Sequence, residues 1–118
     1  MNKIRKARVE SVMKREIAML VLQEIKDPRL AFATVTGVSL TSDYKTAHVY
    51  VSIMGDDEAK QRSMEALHAA TGFVRKSVGD NISMQFTPKI QFVLDNALDE
   101  RARIDRLLKE IEDTKKDE

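Results

Sequence analysis

Two groups of cations are the residues with chemistry to offer. Arg75 and Lys76 stand three and four residues past Gly72 in Ala70-Thr71-Gly72, and Lys3, Arg5, Lys6, Arg8, Lys14 and Arg15 share residues 3–15 with Glu10 as the one acid. Clustered Arg and Lys draw anions, and where a helix begins beside them its free N–H groups strengthen the preference for phosphate. The 118-residue chain carries a net charge of only +1. Its cationic character is therefore local and points to a defined anionic surface rather than to indiscriminate polyanion binding.

Catalytic chemistry has no comparable footing. His48 and His68 lack the paired spacing of a metal site. No serine sits in a nucleophile elbow, and no glycine run has the spacing of a Walker loop or dinucleotide fingerprint. Asp56-Asp57-Glu58 suits a helix N-terminus better than an acidic site, because the helix dipole favours acids there. The chain has no Cys, which excludes disulfide and thiolate chemistry and fits a reducing, cytoplasmic setting. Two Tyr, four Phe and no Trp are too few for an open platform that stacks several bases. No catalytic residue, metal ligand, cofactor or small-molecule substrate is assigned. MNKIRKARVESVMKRE lacks the apolar core of a signal peptide and no apolar run reaches spanning length, so no membrane partner is expected.

The elements that must position these cations follow from periodicity. A first helix is expected from about Arg5 to Ile25, with Val9, Val12, Met13, Ile17, Leu20 and Val21 on its apolar face and Asp27-Pro28 ending it. Arg8, Arg15 and Lys26 share an edge on its other side. Thr34 to Thr41 and Thr46 to Met54 alternate as strands, joined through Ser42–Lys45 in a hairpin; Val49, Val51 and Ile53 face one way, His48, Tyr50 and Ser52 the other. Lys89 to Asp95 reads as a third strand, with Ile90, Phe92 and Leu94 inward. Asn96 caps a last helix whose stripe is Ile104, Leu107, Leu108 and Ile111, placed over the core. The length suits one domain, residues 1–112, followed by a flexible polar tail at 113–118.

Residues 63–80 carry the main irregularity. Ser63, Met64, Leu67, Ala70 and Thr71 follow one helical line, but Phe73, Val74, Ser77 and Val78 follow another. Two short helices meeting at a bend over Ala70, Thr71 and Gly72 satisfy both lines, with Gly72 in a backbone conformation that a Cβ would resist and with Phe73 and Val74 anchoring the bend in the core. The order is α-β-β-α-bend-α-β-α, an α+β domain with helices on one face of a small three-stranded sheet.

That order is the order of a type II KH domain, whose GxxG loop clamps nucleic-acid backbone; here the Ala-x-Gly bend takes the loop's place. Taken with Lys26-Asp27-Pro28-Arg29-Leu30, the strand TAHVYVSIMG at Thr46 to Gly55, Pro88-Lys89-Ile90-Gln91-Phe92 followed by Asp95, and Arg103-Ile104 with Leu107-Leu108, the chain closely resembles the ribosome-binding factor A family from Ile4 to Leu108. The resemblance implies a non-enzymatic, cofactor-free assembly factor of the bacterial cytoplasm, a monomer that binds the immature 30S subunit and 16S rRNA during late maturation and supports growth in the cold. Arg75 and Lys76 would meet phosphates beside the bend, and Lys3, Arg5, Lys6, Arg8 and Arg15 would add a second contact. Arg101 stands where the family has glycine and Lys89 where an acid is frequent; both add positive charge. The alternative is a protein-interaction module that holds a ribosomal protein, or a copy of itself, through the sheet edge or the last helix.

Overall fold

The structure is a computed structural model and describes residues 3–95 and 107–111. Asn96, Arg101, Arg103, Ile104 and the 113–118 tail lie outside the described residues. The described chain runs α1 (Lys3–Met19), a π-turn (Leu20–Glu24), a short 3-10 turn (Pro28–Leu30), β1 (Ala33–Leu40), β2 (Thr46–Ile53), α2 (Asp57–Ala69), α3 (Thr71–Asn81) and β3 (Lys89–Leu94). Residues 107–111 are helical.

The sheet has the order β1-β2-β3, antiparallel between β1 and β2 and parallel between β2 and β3. Period-two alternation puts Ala47, Val49, Val51 and Ile53 of β2 into the core, while Thr46, His48, Tyr50 and Ser52 stay half-buried on the other face. Ile90 and Phe92 extend the buried face onto β3. Met13 and Ile17 of α1, Ala66 and Leu67 of α2, and Val74 and Val78 of α3 complete the core from the helix side. At about 25 cal/mol per Å², burial of this apolar area is the main drive for the layered fold.

The β1–β2 register slips between Val35 and Gly37, leaving Thr36 without a partner of its own. Its hydroxyl lies 3.2 Å from the Tyr50 carbonyl and 3.0 Å from Asp95 Oδ2, so the bulge is hydrogen-bonded across the sheet. In the hairpin, Thr41 N–H donates to the Thr46 carbonyl (2.9 Å) and Asp43 Oδ1 accepts from Lys45 N–H and from the Thr41 hydroxyl. Tyr44 has φ 61°, and its buried hydroxyl has no hydrogen-bond partner among the described residues.

The first helix does not run on to Ile25 as a regular α-helix. Ile25 N–H bonds the Leu20 carbonyl five residues back (2.9 Å), which marks a wide π-turn. At about 100° per residue an unbroken α-helix would carry Ile25 past the core side; the wider turn lets it pack against the core. Val12, expected on the apolar face, is exposed instead. It lies about 100° from Met13 and falls on the far side of the Met13–Ile17 line. The expected stripe of the last helix also differs, since Leu107, Leu108 and Ile111 are all at least half exposed and do not cover the core.

Polar ties set the angles between layers. Glu10, the lone acid of the basic stretch, accepts through Oε2 from Leu40 N–H at the end of β1 (2.8 Å). Asn81 Nδ2 donates to Glu16 Oε1 (2.8 Å), linking the end of α3 to α1. The buried Ser63 hydroxyl donates to the Arg29 carbonyl (2.6 Å), which pins α2 to the 3-10 turn. That turn is itself braced by Asp27, whose carboxylate accepts from Arg29 N–H and receives a two-pronged guanidinium contact, Nε to Oδ1 at 3.1 Å and Nη2 to Oδ2 at 2.7 Å. These bonds from the Arg29 side chain and backbone hold the Asp27 carboxyl below its ordinary pKa.

Two outcomes follow. Glu10→Ala leaves the partly buried Leu40 N–H without its acceptor and is expected to lower stability by about 1–3 kcal/mol in urea denaturation, with Glu10→Gln recovering part of the loss. Because Asp27 has a depressed folded-state pKa, its stabilisation is present above its unfolded value and fades as pH falls toward the folded one. Asp27→Asn should therefore be less stable than the parent at neutral pH, with the gap closing in acid; a gap independent of pH would refute the assignment.

Candidate nucleic-acid interface

The two helices do meet where the residues placed the bend, but the pivot is Ala70. It closes α2 and opens α3 at φ −91°, ψ −1°. Its N–H bonds the Ala66 and Leu67 carbonyls (both 3.1 Å), its own carbonyl accepts from Val74 N–H (3.0 Å), and the Thr71 hydroxyl donates to the His68 carbonyl (2.9 Å). Thr71 thus satisfies an acceptor at the end of α2, where the helical ladder runs out.

Gly72 corrects the sequence expectation. It lies within the first turn of α3, its φ is not positive, and an added Cβ would meet nothing within 4 Å. The bend therefore does not rest on a glycine backbone that a Cβ resists. What the missing side chain leaves is open space over the start of α3, where no side chain caps the helix. Of the two helical glycines the crowded one is Gly79, where a Cβ would sit 2.7 Å from Thr87 Oγ1.

The anchoring residues also divide differently. Val74 is fully buried and joins the core, but Phe73 is 48% exposed and does not. Of the two cations expected at the bend, Lys76 is exposed and has no acidic partner among the described residues. Arg75 is exposed as well, yet its Nη2 donates to the Thr87 carbonyl (3.1 Å), so it also holds the loop before β3 against α3.

On α1 the cations do not form one row. Arg8 and Arg15, seven residues apart, share the outer side of the helix, opposite Met13 and Ile17. Lys3 and Lys6 lie nearer the core-facing side, with Lys6 half-buried, and Arg5 lies on a third line. The α1 and α3 cations stand on separate helices tied through Glu16 and Asn81. Among the described residues no group of three or more His, Asp or Glu could hold a metal ion, and no helix is long and apolar enough to cross a membrane. Asp27 and Arg29, two charged members of the Lys26–Leu30 motif, bind each other. Sequence pattern missed the roles of Glu10, Thr71 and Thr87, because each acts through one hydrogen bond to backbone or one close contact and leaves no periodic signal.

Comparisons with known proteins bear on the family and the fold. The family model for ribosome-binding factor A matches residues 5–108. A ribosome-binding factor A of Moorella thermoacetica is 46% identical over 106 residues, 88% of this chain and 87% of the relative. The crystal structure of ribosome-binding factor A from Thermus thermophilus superposes with a TM-score of 0.67 at 29% identity, covering 75% of this chain and 94% of that one. A homology model of the Thermus thermophilus protein, fitted into an electron cryo-microscopy map of its complex with the 30S subunit, gives 0.64 at 29% identity over 78% and 97%.

The two helical glycines should respond in opposite directions. Gly72→Ala is expected to leave stability unchanged or raise it by up to about 1 kcal/mol, since a better helix former meets no obstacle. Gly79→Ala is expected to lower it by about 1–3 kcal/mol, because Thr87 must move. Thermal or urea unfolding reads both, and a destabilised Gly72→Ala would restore a strained glycine at the bend.

Proposed function

Since the chain belongs to the ribosome-binding factor A family, we propose that it binds the small (30S) ribosomal subunit through its 16S rRNA, as a non-enzymatic factor in late maturation. The observation that carries this reading is the start of α3: an uncapped helix N-terminus, open space over Gly72, and Lys76 exposed one turn further on. A helix start with no side-chain cap and a nearby cation suit a phosphate, and a position without a side chain lets RNA backbone come close. Arg8 and Arg15 on α1, with Lys3, Arg5 and Lys6 around them, supply further phosphate contacts. Such a surface reads RNA by shape and charge rather than by base sequence. The Thermus thermophilus relative fitted into a 30S complex supports the same partner. Within this reading the protein is a cytoplasmic monomer without a cofactor, acting in 16S rRNA maturation and in growth in the cold.

A second reading, a module that grips a ribosomal protein without touching RNA, is favoured by the exposed Leu107, Leu108 and Ile111. Salt separates the two, because phosphate contacts release counterions and an apolar contact does not. Lys76→Glu is the clean variant, since Lys76 holds nothing inside the fold, whereas Arg75→Glu also frees Thr87. Lys76→Glu should keep parental stability, weaken binding to immature small subunits, and flatten the plot of log affinity against log salt by roughly 0.9 for each phosphate no longer neutralised. Unchanged affinity and slope would remove Lys76 from the interface, and a parent with no salt dependence would favour the protein-gripping module.

A further inference from the structure

The loop between α3 and β3 holds one large apolar side chain in water while its neighbours are tied down. Phe86 is 75% exposed. Two residues before it, Met84 packs against the core, and two residues after it Pro88 is fully buried. Thr87 lies against Gly79, and its carbonyl accepts from Arg75 Nη2 (3.1 Å). Lys89 N–H then donates to the Lys45 carbonyl (2.8 Å), which brings the β1–β2 turn alongside; the residues Lys45 and Lys89 are both exposed. Phe86 therefore projects from a braced loop that Arg75 holds through Thr87 and that leads into the exposed Lys89, paired through backbone with Lys45.

Asp43, two residues before Lys45, stays ionised and offsets part of that lysine's charge, so Arg75 and Lys89 supply more of the positive charge here. Asp43 Oδ1 is taken by Lys45 N–H and the Thr41 hydroxyl. Asp80 follows Gly79 but points about 100° around the helix from the side that meets Thr87. A protein interface also sets a polar rim around an apolar core, so the choice of partner rests on the RNA-binding reading and on the cations of this loop. An exposed aromatic ring on a loop braced by Arg75 and leading into Lys89 suits an unstacked nucleobase with its phosphates alongside.

We propose that Phe86 stacks on one unpaired base of the RNA this protein binds, with Arg75, Lys45 and Lys89 meeting the flanking phosphates. The proposal rests on the RNA-binding reading above and adds to it a contact with a base.

The chain has no Trp, so Phe86→Trp introduces a single fluorophore at the site. Titrated with immature small subunits, that variant should bind about as tightly as the parent, and a stacked base should quench its emission. Phe86→Ala should melt with the parent, because the ring buries little of the fold, and should bind roughly 5- to 150-fold more weakly with the salt slope unchanged. Parent-like affinity of Phe86→Ala, in a parent that binds with a steep salt slope, overturns this inference alone. Trp emission that shifts to the blue without quenching assigns the ring to an apolar protein pocket and also overturns it. A parent that does not bind immature subunits overturns the functional reading and this inference together.

Discussion

Parallel pairing of β3 with β2 is the constraint on which the rest of the structure depends. Two parallel neighbours cannot be joined by a tight turn; the chain must travel back along the sheet before it can re-enter beside β2. That return is made by α2 and α3, two helices that meet at an angle over Ala70. Because α3 begins in the middle of the return, its N-terminus arises at the surface with no side chain to cap it. Val74 and Val78 face inward to bury the crossover, which leaves Gly72 and Lys76 facing outward. The candidate phosphate site is thus a by-product of how the crossover is closed.

The fold was largely legible because its strands obey a strict alternation and its helices start and stop at recognisable residues. Thr46–Ile53 alternates without a fault, and Asp56 caps α2 by accepting from Ala59 N–H (2.8 Å). What pattern could not give were features set by contact across the fold. The bulge at Thr36 breaks no period that a reader could see in ATVTGVSL, and it depends on Tyr50 and Asp95. The π-turn after Met19 answers a need to bring Ile25 back to the core. Val12 and Phe73 are apolar residues that helical spacing alone tempts one to bury, and both are exposed.

The candidate site was legible in position and misread in cause. Ala70, Thr71 and Gly72 do mark the bend, but its geometry comes from Ala70 and the Thr71 hydroxyl, while the glycine faces open space. Arg75 is both a surface cation and the brace of the loop that carries Phe86. A guanidinium has five donors, so one bond to Thr87 leaves others for a ligand. Lys76 has only its charge to offer, which is why the two residues are not equivalent despite being adjacent.

The bond from Leu40 N–H to Glu10 has a consequence for life in a crowded solution. β1 is an edge of the sheet, and Leu40 neighbours the bonded Thr41–Thr46 pair, so its N–H turns outward from the sheet. An outward N–H on an edge strand is a template onto which another chain can add its own strand, the first step toward aggregation. Glu10 occupies that donor with a carboxylate held by α1, and the helix lies against the same strand. Glu10 thereby acts as a gatekeeper at this end of the sheet, because its carboxylate occupies the donor that an added strand would need.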